Sequence, residues 1–229
     1  MSFLRKKKQF FIQAITMSAT ELKRKLKQQK ELPEILIVRL HRAISWLKAA
    51  EEHEKNIDLQ FVGLWISFNA CYAIDDRSEL TLTEREMFSE FIGKLVGCDR
   101  EGHFFQLLWK KFSGPVRMLI ENEYVYKPFW DYQRGQIKDW KRLHQRSIDE
   151  SKQYLSVGNV AALLEVVLDR LYVLRNQLLH GGATYKSKVN RSQLRDGCNM
   201  LKLLVPLTIE LMLNNSELDW GKVHYPVIG

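Results

Sequence analysis

The stretch Leu59 to Ile74 (LQFVGLWISFNACYAI) holds sixteen residues without one charged side chain and is apolar on nearly every side. A run of that kind must be hidden. It falls short of the roughly 20 residues that a membrane-spanning helix needs, so the sequence predicts a central helix buried on all faces. Asn56 to Asp58 breaks the chain before it and Asp75-Asp76-Arg77 ends it. Whatever surrounds such a helix must offer complementary apolar stripes.

The rest of the chain supplies them at helical period. From Pro33, which suits a first helical turn, Ile35, Val38, Leu40, Ile44 and Leu47 recur at three- and four-residue steps up to about Glu54. Further helices are expected over Thr83 to Val96, His103 to Phe112, from Pro115 through Leu119, over Gln136 to Leu155, and over Val160 to Leu179. Ser113-Gly114-Pro115 reads as a stop and restart. Gly181-Gly182 reads as a C-terminal cap. Asn190 caps a last long helix to about Leu213, and the tail to Gly229 is expected to be extended. Tyr124 to Tyr132, with five aromatics in nine positions, reads as irregular. Period-two patterns are nearly absent, and only five prolines and 12 glycines punctuate the chain. That argues against many short strands. The expectation is an all-α bundle with a helical and irregular elaboration at about 99–135.

With 229 residues, 45% hydrophobic and 27% charged, the chain suits one globular domain. Its charge is uneven. Residues 1–30 hold nine Lys and Arg against Glu21 alone, the whole of the net +8, and residues 31–229 balance. The expected organisation is therefore a basic N-terminal arm over 1–30 and a helical domain over 31–229. Such an arm either holds phosphates or anionic lipid or is a solvated, frayed terminus. Arg5 to Lys8 followed by Phe10-Phe11-Ile12 imitates a signal peptide. Gln13, Thr16 and Ser18 interrupt the apolar part and no cleavage site follows, so none is expected. Cys71, Cys98 and Cys198 are far apart and form no CxxC pair. Neither a disulfide framework nor a zinc ribbon is expected, and a reducing cytoplasm is the natural setting. His41, His53, His103, His144 and His224 make no ligand-spaced set. No metal or cofactor is expected, and no phosphate loop, nucleophile elbow or catalytic carboxylate pair stands out. Glu51, Glu52 and Glu54 read as a solvated helix end.

The segment that carries chemistry is Leu171 to Tyr185 (LYVLRNQLLHGGATY). On a helix, Leu164, Val167, Leu168, Leu171, Leu174 and Leu178 fall within roughly 120° of arc. Arg175 projects at the edge of this stripe, about 20° from Leu164, so its stem is expected to be buried and its charge partnered. Glu165, Asp169, Asn176 and His180 gather on the next face. His180 stands in the last turn, where an imidazole can exchange a proton near neutral pH. The glycines after it leave room for a substrate backbone. Arg175 is a forked cation that can hold phosphate oxygens in two places. The rival reading is a helix-terminal His that only caps carbonyls and an Arg in an ordinary ion pair. About 140° of arc separates Arg175 from His180, so they share no face unless the Arg folds across the turn or a second chain completes the site.

These residues resemble a known family. Arg175-Asn176-Gln177-Leu178-Leu179-His180 matches the R-x(4–6)-H pattern of HEPN domains (higher eukaryotes and prokaryotes nucleotide-binding), with a polar residue straight after the Arg. The segments 39–52, 61–73, 112–131 and 169–197 together resemble a bacterial, Apea-like branch of HEPN-like proteins, over roughly 33 to 226. The resemblance implies a helical bundle, a homodimer, and metal-independent RNA cleavage to a 2′,3′-cyclic phosphate, in a defence or toxin context with a possible antitoxin or partner protein. It implies His180 as general base or acid, Arg175 stabilising charge on the phosphate, and Asn176 orienting the His or the phosphate. The branch whose toxins are silenced by nucleotidylation carries Tyr two residues after the His, and here Gly182 stands there. Many relatives have lost catalysis and act as binding or assembly modules, so a non-catalytic helical module for a protein or nucleotide partner is the alternative.

Other candidates follow from position. Lys186, Lys188 and Arg191 lie just past the Gly pair and suit phosphate. Asn69, a polar residue in the expected core, either orients Arg175 or His180 or bonds a backbone carbonyl. Arg117, with Lys127 and the aromatic run, forms either an RNA-contacting lip or part of a small satellite core.

Overall fold

The computed structural model describes residues 17–73, 84–188, 190–223 and 225. Arg5 to Lys8 and the expected helix end at Asp75-Asp76-Arg77 lie outside them. Among the described residues the protein is all-α, with no strand. The chain divides into two compact units, 1–103 with 201–229, and 104–200.

In the first unit, α1 (Ala19–Gln28) begins at a capping box. Glu21 N–H donates to Ser18 Oγ at 3.3 Å, and Ser18 N–H donates to Glu21 Oε2 at 2.8 Å. Two of the four orphan amides at a helix start are thereby satisfied. Ala19, Leu22 and Leu26 recur on one face and are buried, against α2 (Glu34–Glu52). The basic segment is thus not a frayed arm from Ala19 onward. Its Lys25 is held in an ion pair with buried Glu210 at 2.5 Å. The glutamates at this helix end are exposed, as expected, and still make contacts. Glu51 accepts the Ala19 N–H at 2.8 Å, Glu52 pairs with Lys48, and Glu54 pairs with Lys202.

The apolar run forms α3 (Ile57–Tyr72), which starts at Asn56, whose side chain accepts from Leu59 N–H. Phe61, Leu64, Trp65, Phe68 and Cys71 are buried, whereas Leu59 stays exposed. The α2 and α3 backbones approach closely at Gly63, where an added Cβ would lie 3.1 Å from that of Ala50. Ser67 Oγ donates to the Ala43 carbonyl at 2.6 Å across the same seam. Arg39, 1% exposed, closes the end of α3. Its Nη1 donates to the carbonyls of Cys71 (3.0 Å) and Ala73 (2.9 Å), and its Nη2 to those of Gly221 (3.1 Å) and Lys222 (3.0 Å). These are carbonyls that a helix end and an irregular tail leave unpaired. α4 (Glu84–Cys98) completes the unit's N-terminal part. Burial drives the Cys71 thiol up to about 12 and that of Cys98 to about 11, so neither is a nucleophile at neutral pH.

In the second unit, α5 (His103–Lys111) ends at a kinked π-turn, Phe112–Val116, in which Gly114 has φ −127° and ψ −116°. The expected stop and restart therefore falls at Ser113-Gly114-Pro115, and α6 (Arg117–Glu121) follows. The segment expected to be irregular is instead a 3₁₀ turn, Glu123–Val125, and α7 (Lys127–Gln133). Pro128 opens that helix, where its missing N–H costs nothing. Tyr126, Phe129 and Trp140 form an aromatic core, with Trp130, Ile137 and Leu143 packed on it. α8 (Trp140–Val157) starts four residues later than expected, because Asp139 accepts the Arg142 N–H and caps it. α9 (Val160–Leu179) has the expected bounds. α10 (Arg191–Asn214) carries the chain on from the second unit into the first.

Candidate active site

Leu164, Val167, Leu168, Leu171 and Leu174 of α9 are buried as the stripe requires, but Leu178 is only half-buried. The buried arginine of this helix is Arg170, 4% exposed, not Arg175. Arg170 donates to Ser147 Oγ at 2.8 Å and stacks on the Tyr126 ring at 4.3 Å. Burial lowers its pKa to about 10. Arg175 is half-buried. Its Nη1 donates to Asn176 Oδ1 at 2.7 Å, and its guanidinium carbon lies 5.6 Å from the Tyr172 ring centre. Its Nε is buried with no hydrogen-bond partner. Among the described residues no carboxylate pairs with Arg175, so its charge is met only by a neutral amide and a ring.

The end of α9 is fixed by its two glycines. Gly181 N–H donates to the Leu178 carbonyl (3.2 Å) and Gly182 N–H to the Gln177 carbonyl (2.7 Å), the reciprocal pair of a Schellman cap. Gly181 has φ +70°, a conformation that favours glycine. A Cβ on Gly182 would stand 3.0 Å from the Gln177 carbonyl oxygen. His180 is the C-cap residue, its N–H donating to the Asn176 carbonyl at 3.0 Å. Its side chain is exposed, and among the described residues the ring makes no hydrogen bond. It is not a ring spent on capping carbonyls.

Arg175 and His180 are not hydrogen-bonded to one another, and Asn176 Oδ1 engages Arg175 rather than the histidine. The residue that organises the neighbourhood is Gln177, which the sequence reading passed over. Its Nε2 donates to the Tyr124 carbonyl, and its Oε1 accepts from Asn190 Nδ2 at 2.9 Å. One side chain thus ties the 3₁₀ turn and the loop before α10 to the end of α9. Tyr172, one turn before Arg175, was readable as an aromatic–Arg neighbour at i, i+3.

The loop after the cap carries Lys186 and Lys188, both exposed, and leads into half-buried Arg191 at the start of α10. Lys186 Nζ lies 5.2 Å from the Tyr185 ring centre. Asn190 has φ +61°, and its carbonyl accepts the Leu194 N–H at 2.9 Å. Two candidates lie on other helices. Arg117 is on α6, where it faces Glu121 at 3.9 Å. Asn69 is on α3 of the first unit, half-buried, and its carbonyl accepts the Ala73 N–H at 2.9 Å. Among the described residues no cluster of three or more His, Cys, Asp or Glu could hold a metal ion, and no helix is long and apolar enough to cross a membrane.

No family model matches this chain, and neither does any curated protein or solved structure.

Proposed function

We propose that the chain is a metal-independent endoribonuclease of HEPN type, with Arg175 and His180 as its reacting pair. The observation that supports this best is the state of the two side chains. The His180 ring is exposed, and among the described residues it makes no hydrogen bond and no carboxylate pairs with the Arg175 guanidinium. The exposed ring and the half-buried guanidinium are the groups offered to a phosphodiester. His180 takes the proton from a ribose 2′-hydroxyl, and the 2′-oxygen attacks phosphorus. The P–O bond to the 5′-oxygen breaks, and that oxygen leaves with a proton from an imidazolium. The products are a 2′,3′-cyclic phosphate and a 5′-hydroxyl. Arg175 holds the non-bridging oxygens as charge builds on them, and Asn176 fixes the guanidinium. Because the two residues are not joined within one chain, a homodimer supplies the second histidine as acid. Lys186, Lys188 and Arg191 draw the neighbouring phosphates. We place the reaction in the cytoplasm, which suits three free cysteines.

The test is RNA cleavage in EDTA by Arg175→Ala and His180→Ala chains, each beside a thermal melt. Since the His180 ring makes no hydrogen bond among the described residues, its removal is expected to abolish cleavage and leave the melting temperature in place. A fall in melting temperature with no cleavage in the parent chain points instead to a non-catalytic helical module.

A further inference from the structure

The proposed reaction accounts for a phosphate and a 2′-hydroxyl, but not for the bases on either side. Two exposed tyrosines stand near that helix end in bonding or in sequence: Gln177 holds the Tyr124 carbonyl, and Tyr185 comes five residues after His180. Tyr124 is 46% exposed. Its ring stands edge-on to Phe129 at 5.5 Å, and its carbonyl is held by both the Gln177 amide and the Trp130 indole N–H. Tyr185 is 61% exposed and follows the Gly pair, with the Lys186 ammonium against its ring. Its loop is pinned by Asn190 on Gln177 and by Ser187 N–H on the Thr184 carbonyl at 3.0 Å.

That loop is also where backbone strain is kept. Among the described residues only Lys186 (φ +57°) and Asn190 (φ +61°) have positive φ without being glycine. A lysine is held there against its preference, and such strain persists where the surrounding bonds over-determine it. Lys186 and Asn190 are therefore held rather than slack, and beside Lys186 stands the Tyr185 ring.

We propose that Tyr124 and Tyr185 are stacking platforms for unpaired nucleobases, with Lys186 on the adjoining phosphate, so that the site takes single-stranded nucleic acid with little regard to sequence. Every base has a π-face, which makes stacking sequence-tolerant. A duplex keeps its bases stacked on one another and offers none to a tyrosine. The choice of RNA rests on the nuclease reading; the platforms themselves do not.

The experiment uses full-length chain carrying His180→Ala, so that RNA stays intact. Fluorescence anisotropy at fixed salt compares a labelled oligoadenylate with an abasic oligomer of equal length and with a duplex. The expected order places oligoadenylate first. Tyr185→Ser is expected to weaken it by about 5- to 140-fold, the effect of one lost stack, while leaving abasic binding unchanged. Tyr185→Phe retains the affinity, and Tyr124→Ser acts in the same direction as Tyr185→Ser. Equal loss on the abasic oligomer, no loss on either, or no binding by any oligomer overturns the proposal. Base-dependent binding lost with Tyr185, in a protein whose parent chain cleaves nothing, keeps the platforms and removes the nuclease. His180-dependent cleavage untouched by Tyr185→Ser does the reverse.

Discussion

Replacing Arg39 with Met isolates what one buried guanidinium does for the first unit. Methionine keeps most of the stem volume and removes the fork. Four donor–carbonyl contacts at 2.9–3.1 Å disappear. Each hydrogen bond from a charged donor is worth about 1.5–3 kcal/mol. Against that stands the cost of holding a guanidinium away from water, which also lowers its pKa. Water can reach some of the freed carbonyls, three of whose four contacts are only partly buried. What is left behind is neutral carbonyls, each costing about 1–3 kcal/mol where water cannot reach it, so the net loss should be about 3–5 kcal/mol. That is a large share of the roughly 5–15 kcal/mol that holds a typical protein folded. Urea denaturation followed by far-ultraviolet circular dichroism measures it, with the slope compared between chains so that a midpoint shift can be read as stability. Arg39→Lys, which keeps the charge but lacks the planar fork that serves both the Cys71/Ala73 and the Gly221/Lys222 carbonyls, should recover less than half. A loss below about 1 kcal/mol for Arg39→Met, against the charged-bond range above, would refute the claim that this side chain caps α3 and anchors the tail.

Four further outcomes are expected. Gly182→Ala should cost about 1–3 kcal/mol, because its Cβ must displace the Gln177 carbonyl oxygen 3.0 Å away. Gly181→Ala has open space and should cost about 1–2 kcal/mol through its positive φ alone; thermal melts of the two variants check both. Burial lowers the pKa of His144 despite its bond to the Ile120 carbonyl, with Arg170 opposing protonation and Glu123 and Glu121 favouring it. The unfolded chain then binds the proton more readily, so this group's stability is present above about pH 6.5 and lost as pH falls through the lower folded value. The difference in stability between wild type and His144→Gln should therefore change with pH below about 6.5 and not above it. Lys25→Met should destabilise by about 1–3 kcal/mol by stranding buried Glu210, a discount from fully buried pairs because Lys25 is partly exposed. Lys25→Met with Glu210→Met should recover most of that loss in a double-mutant cycle.

Regular helices were legible where period and punctuation agreed. Val160 to Leu179 was readable to the residue, because an apolar stripe ends at a Gly pair that only a helix end explains. The run from Leu59 was readable because nothing but burial suits it. The aromatic segment was misread because Tyr124, Tyr126, Phe129, Trp130 and Tyr132 carry no clear period. A helix as short as Lys127–Gln133 is held by packing on Trp140 rather than by its own propensity. The Pro at 128 was the available signal. The two arginines of α9 show a different limit. Arg175 lies inside the apolar arc and Arg170 about 40° beyond its edge, yet Arg170 is the buried one. Tyr126 and Ser147 cover that flank, and no periodicity reveals which flank a neighbour covers. At the site, the residue types at 175, 176 and 180 were readable. The bridging by Gln177 was not, since it joins Tyr124 and Asn190 across long stretches of chain.

The most direct test of the central claim is end-group analysis of RNA incubated with the purified chain in EDTA, with an oligomer of the same sequence made of 2′-deoxynucleotides alongside. The account predicts 2′,3′-cyclic phosphate ends from the RNA, none from the deoxy oligomer, and none from RNA given to His180→Ala. Cleavage of either substrate at full rate by His180→Ala would contradict it.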